Sequence, residues 1–209
     1  MTGGYDNQGT NLGAVEVFNG SVWRVLNLTH DPVYHHCLAS WHSHMVILTG
    51  GMKDHESFQS HSLLLRLDSD EVQRLPDMRS PRAFHGCAAT EHGYVVAGGS
   101  DGVMDMFGGF GYLHTVDYYT FPQPSNTEVL GSWNTLPQLP RARQYTGVVY
   151  SYGQLIVVGE NYIDPYPSSS LYTHAYNWDQ VKWEEWEDQN NSISNLQLVM
   201  EIQVHSGLR

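Results

Sequence analysis

The residues of this chain with the most chemistry in them are its twelve histidines, its two cysteines and a few arginines. "YHHC" places His35, His36 and Cys37 side by side, and "WHSH" adds His42 and His44. Neighbours along an extended strand face opposite ways, so only His35 and Cys37 could share a face. Neither cluster has the spacing of a zinc site, which pairs closely spaced cysteines with a distant histidine pair. No nucleophile elbow GxSxG occurs, and no phosphate loop GxxxxGK[ST]. "FGGFGY" is glycine-rich but lacks the lysine. The expectation is a chain that is not an enzyme and carries no metal and no cofactor.

The arginines point to recognition. Arg79, Arg82, Arg141 and Arg143 lie in two short segments, "RSPRAF" and "RARQY". A guanidinium binds a carboxylate through two parallel hydrogen bonds. The segment 100–114, "SDGVMDMFGGFGYLH", carries Met104, Met106, Phe107, Phe110 and Tyr112, and the segment 161–170 carries Tyr162 and Tyr166. Arginine, tyrosine and methionine are enriched where proteins meet. These eleven residues are the candidate partner-binding set, for a protein or peptide that is acidic. Arg82 and Arg143 have a competing reading. They recur at the same place in an internal repeat, and such recurrence suits a residue that ties the architecture together.

Charge narrows the partner classes. The formal net charge is −12. A nucleic acid needs a basic stripe and an anionic membrane needs a basic patch, so neither is an expected partner. No apolar run approaches the roughly 20 residues of a membrane span, and "MTGGYDNQGTNLG" has no signal-peptide pattern. Two cysteines make no disulfide framework. They could pair, but reduced thiols in the cytoplasm are the simpler reading, placed ahead of an extracellular location.

The elements that must position these residues are strands. With 20 glycines and 13 tyrosines and only 15% charged residues, the chain suits strands and tight turns better than helices. Short apolar runs end at glycine pairs: "MVILTGG", "YVVAGG", and more loosely "LIVVGE". The first glycines, Gly3, Gly50, Gly98 and Gly159, are spaced 47, 48 and 61 residues apart. The period extends beyond them. Arg82 falls on Arg143, Phe84 on Tyr145, Gly86 on Gly147, and "LPDM" near "LPQL". The second unit aligns with Tyr34 on Phe84 and Cys37 on Cys87. Tryptophans recur at Trp23, Trp133 and Trp183, with aliphatic residues around Val72 taking that station in the second unit. Each unit reads as four antiparallel strands. In the third these are expected near residues 85–90, 94–97, 113–120 and 132–136.

This pattern resembles the kelch repeat. The resemblance covers residues 1–187 and implies an all-β, kelch-type β-propeller of four-stranded antiparallel blades, with about three and a half to four blades present. The boundaries are 1–30 for a partial first blade, 31–78 for the second, 79–139 for the third with its long B–C loop, 140–187 for the fourth, and 188–209 for a tail. There Leu196, Leu198, Met200, Ile202 and Val204 alternate as in a half-buried strand. A closed propeller needs more, so the chain reads as a fragment of a larger one. The family resemblance implies a non-catalytic protein-interaction module or scaffold using the B–C and D–A loop face. Substrate recruitment to a ubiquitin ligase and cytoskeletal binding are its familiar forms. The competing implication is a galactose-oxidase-like copper enzyme or another kelch-fold enzyme. No segment matches the copper ligand set in order.

Overall fold

The computed structural model describes residues 2–3, 6–10, 12–91, 93–104, 110–122, 130–161 and 170–185. The expected tail strand at 196–204 lies outside them. Sixteen strands occur among the described residues. They are β1 (Ala14–Phe18), β2 (Trp23–Thr29), β3 (Cys37–Trp41), β4 (Met45–Thr49), β5 (Ser62–Arg66), β6 (Glu71–Leu75), β7 (Gly86–Ala89), β8 (Gly93–Ala97), β9 (Ser100–Met104), β10 (Phe110–Tyr112), β11 (Val116–Thr120), β12 (Ser132–Leu136), β13 (Gln144–Ser151), β14 (Gln154–Asn161), β15 (Ser170–Asn177) and β16 (Lys182–Glu185).

The strands form three antiparallel four-stranded sheets, β3-β4-β5-β6, β7-β8-β11-β12 and β13-β14-β15-β16. Each is a meander, blade-like in form. The β1-β2 ribbon precedes them, with Thr2 bridging to Val15 where a third strand would begin. In the third unit the observed strands fall within a few residues of those expected, and β12 has the expected bounds.

Successive sheets pack face to face in chain order. The leading strand β7 lies against both β3 and β13, and β2 lies against β6. Side chains of alternate parity on one sheet fill the two spaces beside it. Tyr94, Val96 and Tyr119 meet Ile47 and Leu64 of the second unit, while Val95, Ala97 and Val116 meet Leu155 and Val157 of the fourth. All six of these third-unit side chains are buried. That explains why the central strands read as continuous apolar runs: both faces are covered.

The glycine pairs stitch one unit to the next. Gly51 N–H donates to Arg82 O at 2.9 Å, and Gly99 N–H donates to Arg143 O at 2.7 Å. All four glycines of these two pairs have positive φ. A Cβ on Gly50 would stand 2.2 Å from Arg82 O, so no other residue fits there. In the fourth unit Glu160 replaces the second glycine, and β14 runs on through it to Asn161.

Strand register corrects one alignment. Cys37 pairs with Thr49, just before Gly50, whereas Gly86 pairs with Ala97, just before Gly98. Cys37 therefore corresponds to Gly86, and Leu38 to Cys87. His35 and Phe84, which both have positive φ, are likewise equivalent. The one-residue offset matters, because it turns Cys37 toward the third unit and Cys87 toward the second. The two sulfurs meet there as a disulfide, with Cα atoms 5.9 Å apart, within the range a disulfide spans. The expectation of reduced thiols is overturned. True equivalents would have pointed the same way on their own sheets and could not have met.

Candidate interaction face

In each meander the links from second to third strand, and from last strand to the next unit, emerge on one face. In the third unit the first of these links is long. It is not a plain loop: β9 and β10 pair as a hairpin, Phe110 opposite Met104 and Tyr112 opposite Ser100. Its root is anchored at both sides. Ser100 and Ala83 exchange two backbone hydrogen bonds of 2.9 Å, and Arg143 N–H donates to Leu113 O at 3.2 Å. Gly102, at φ +80, lets the Phe58 ring lie against the hairpin backbone, since a Cβ there would meet the ring at 2.4 Å. Phe58 in turn bridges to Met52. Links from the second, third and fourth units thus form one continuous surface.

On that surface Val103 and Met104 are 65% and 61% exposed. Apolar side chains on a braced hairpin, open to solvent, are a mark of a contact surface. Arg79 and Arg141 are exposed on the adjoining links, and Tyr112 is half-buried. Phe110 lies on β10. Met106, Phe107, Tyr162 and Tyr166 lie outside the described residues.

Arg82 and Arg143 do not belong to this surface. Both are 0% exposed. Arg82 Nη1 donates to Gly98 O at 3.3 Å and Thr115 O at 3.4 Å, and its Nη2 donates to Thr115 Oγ1 at 3.2 Å and to the Asp117 carboxylate. Arg143 donates to Gly159 O at 3.5 Å and to His174 Nδ1. The guanidinium groups fasten the entry of each unit to its own second and third strands, which is the architectural reading. Asp117 and His174 are equivalent residues: Asp117 pairs with Val96, two before Gly98, and His174 with Val157, two before Gly159. Burial raises the Asp117 carboxyl, with Arg82 opposing. Burial and the Arg143 charge push His174 down to about 4, which keeps the ring neutral and its Nδ1 able to accept. Sequence reading missed both partners, because an acid and a histidine do not align by type.

The histidine clusters do not assemble either. Among the described residues no group of three or more His, Cys, Asp or Glu side chains is placed to hold a metal ion. Burial and neighbouring histidines push His36 down to about 4, and its ring lies 6.4 Å from that of His30. Both cysteine sulfurs are committed to each other, leaving no thiol for a tyrosine–cysteine crosslink.

No protein-family model matches this sequence, and no curated protein does. The fold is similar to that of a solved protein, YjhT. The superposition has a TM-score of 0.62 at 11% sequence identity and covers 86% of this chain and 54% of YjhT. The chain spans about half the length of that structure, and at this identity the likeness is one of fold.

Proposed function

We propose that the chain is a set of kelch-type propeller blades that works as a non-catalytic protein-interaction module. The partner is a protein or peptide with acidic side chains, bound on the face built by the β9–β10 hairpin and the links into the third and fourth units. The observation that carries this reading is the pair of exposed apolar residues, Val103 and Met104, on a hairpin braced at its root and flanked by Arg79 and Arg141. An apolar centre with a polar rim is the usual anatomy of an interface, and methionine and arginine are both enriched there. Arg82 and Arg143 act beneath this face as ties.

The disulfide favours an oxidising compartment over the cytoplasm expected from the sequence. Substrate recruitment and scaffolding are both roles such a face could serve.

The test is a capture experiment with the intact chain, comparing wild type with a variant carrying Arg79→Ala, Met104→Ala and Arg141→Ala. The proposal expects every captured partner to be lost with the melting curve unchanged. Partners retained at wild-type level would show that binding uses another surface.

A further inference from the structure

The interfaces between units are built from corresponding positions, and one is built differently. In the third unit the register across the sheet runs Tyr94, Tyr119, Trp133, and in the fourth it runs Leu155, Tyr176, Trp183. Both tryptophans face the preceding unit and reach its last strand. Trp133 Nε1 donates to Pro76 O at 2.8 Å and Trp183 Nε1 to Pro137 O at 2.7 Å. In the second unit the same register runs Val46, Leu65, Val72. The Arg82–Asp117 station holds Val33 and Leu63 in that unit. At the interface of the first and second units, therefore, the large ring and the ion pair are both replaced by aliphatic side chains, two of them the smaller Val33 and Val72.

A cavity of about 200 Å³ opens at that interface, lined by His30, Asp31, His61, Leu63, Val72 and Arg74. Two of the replaced positions, Leu63 and Val72, form its apolar wall. The rest of the lining is polar. His61 is buried and its Nε2 has no hydrogen-bond partner among the described residues. Burial lowers the His30 and His61 rings, so both stay neutral. His30 is fully used, its Nδ1–H donating to Asp31 O at 2.7 Å and its Nε2 accepting from Thr2 Oγ1, which leaves His61 Nε2 as the ring nitrogen without a partner among the described residues. The volume is below that of sites for drug-sized molecules, about 300–1,000 Å³, and suits a single ring system.

We infer that this cavity binds a planar aromatic ring carrying an N–H, of the indole type. The ring takes the place that Trp133 and Trp183 fill at the next two interfaces, with Leu63 and Val72 against one face and His61 Nε2 accepting its N–H. The inference stands on register and cavity, and not on the partner reading.

The probe is indole, titrated into the intact protein while the imidazole resonances of His30 and His61 are followed by NMR. Saturable shifts of these two rings are expected, with affinity at least tenfold weaker for benzothiophene, which has the same shape and no N–H. Val72→Trp should raise the thermal midpoint and weaken indole binding at least tenfold. Val72→Phe serves the same purpose if the larger ring prevents folding. A short peptide with a central tryptophan, run in parallel, separates the two sources of the ring. Shifts with the peptide identify a partner's side chain, and shifts with indole alone identify a free small molecule. Absence of saturable shifts in the wild type, equal binding of benzothiophene, or unchanged binding to both Val72 variants would overturn the inference.

Discussion

Removing the Arg82 side chain is the sharpest perturbation of this structure. Arg82→Ala leaves the Asp117 carboxylate buried, only 2% exposed, without its counter-charge. It also takes the guanidinium donor from Gly98 O, while Thr115 O keeps the Gly98 N–H at 3.1 Å. Breaking a buried pair by deleting one partner costs about 3–5 kcal/mol, because the surviving charge stays desolvated. Arg143→Ala should cost less, about 1–3 kcal/mol, since it strands a neutral imidazole acceptor and not a charge. The double variant Arg82→Met, Asp117→Leu removes both charges and restores apolar volume, so it should be more stable than Arg82→Ala alone. Urea unfolding followed by tryptophan fluorescence measures all three. The reasoning fails if Arg82→Ala costs under about 1 kcal/mol, the range of an exposed pair, or if the double variant is no better than the single one.

Other outcomes follow from the same contacts. Cys37 and Cys87 are 50 residues apart in sequence, so their bond should contribute about 4 kcal/mol on the chain-entropy account, read as a drop in urea midpoint after reduction. Trp183→Phe keeps a ring at the interface but leaves Pro137 O without its donor, and should lower stability by about 1–3 kcal/mol in the same assay. Acid should weaken the fold through His36 and His174, whose folded values of about 4 lie below the usual 6.5. Their contribution is complete above pH 6.5 and is lost as pH falls toward 4, by about 1.4 kcal/mol per pH unit for each. Unfolding curves across that window check the slope, and His174→Gln, which keeps an acceptor for Arg143, should flatten it.

Much of the fold was legible in the sequence because its rules are steric. A glycine pair that must donate to the next unit's carbonyl and tolerate no Cβ leaves a mark that recurs, and Gly50 and Gly98 carried it. The tryptophan station was legible for the same reason, since an indole that must reach a carbonyl one sheet away is hard to replace. The cysteine alignment was not. A turn one residue longer in the second unit shifts the register by one, and only hydrogen-bonded pairing reveals that Cys37 sits with Gly86. Arg82 and Arg143 were ambiguous from type alone, because a guanidinium at a link can reach solvent or turn inward. What decides is the acceptor waiting on the third strand, Asp117 in one unit and His174 in the other. The hairpin β9–β10 read as a loop because its strands are short and interrupted by glycine, and it holds its form through backbone bonds at its root.

The central claim is that successive sheets stack face to face in chain order, with β3 against β7. The most direct measurement is a peptide map of the folded, unreduced protein after free thiols have been alkylated. The account predicts one linked species joining the peptide with Cys37 to the peptide with Cys87, within a single chain. Recovery of both peptides alkylated, or of links between separate chains only, would contradict it.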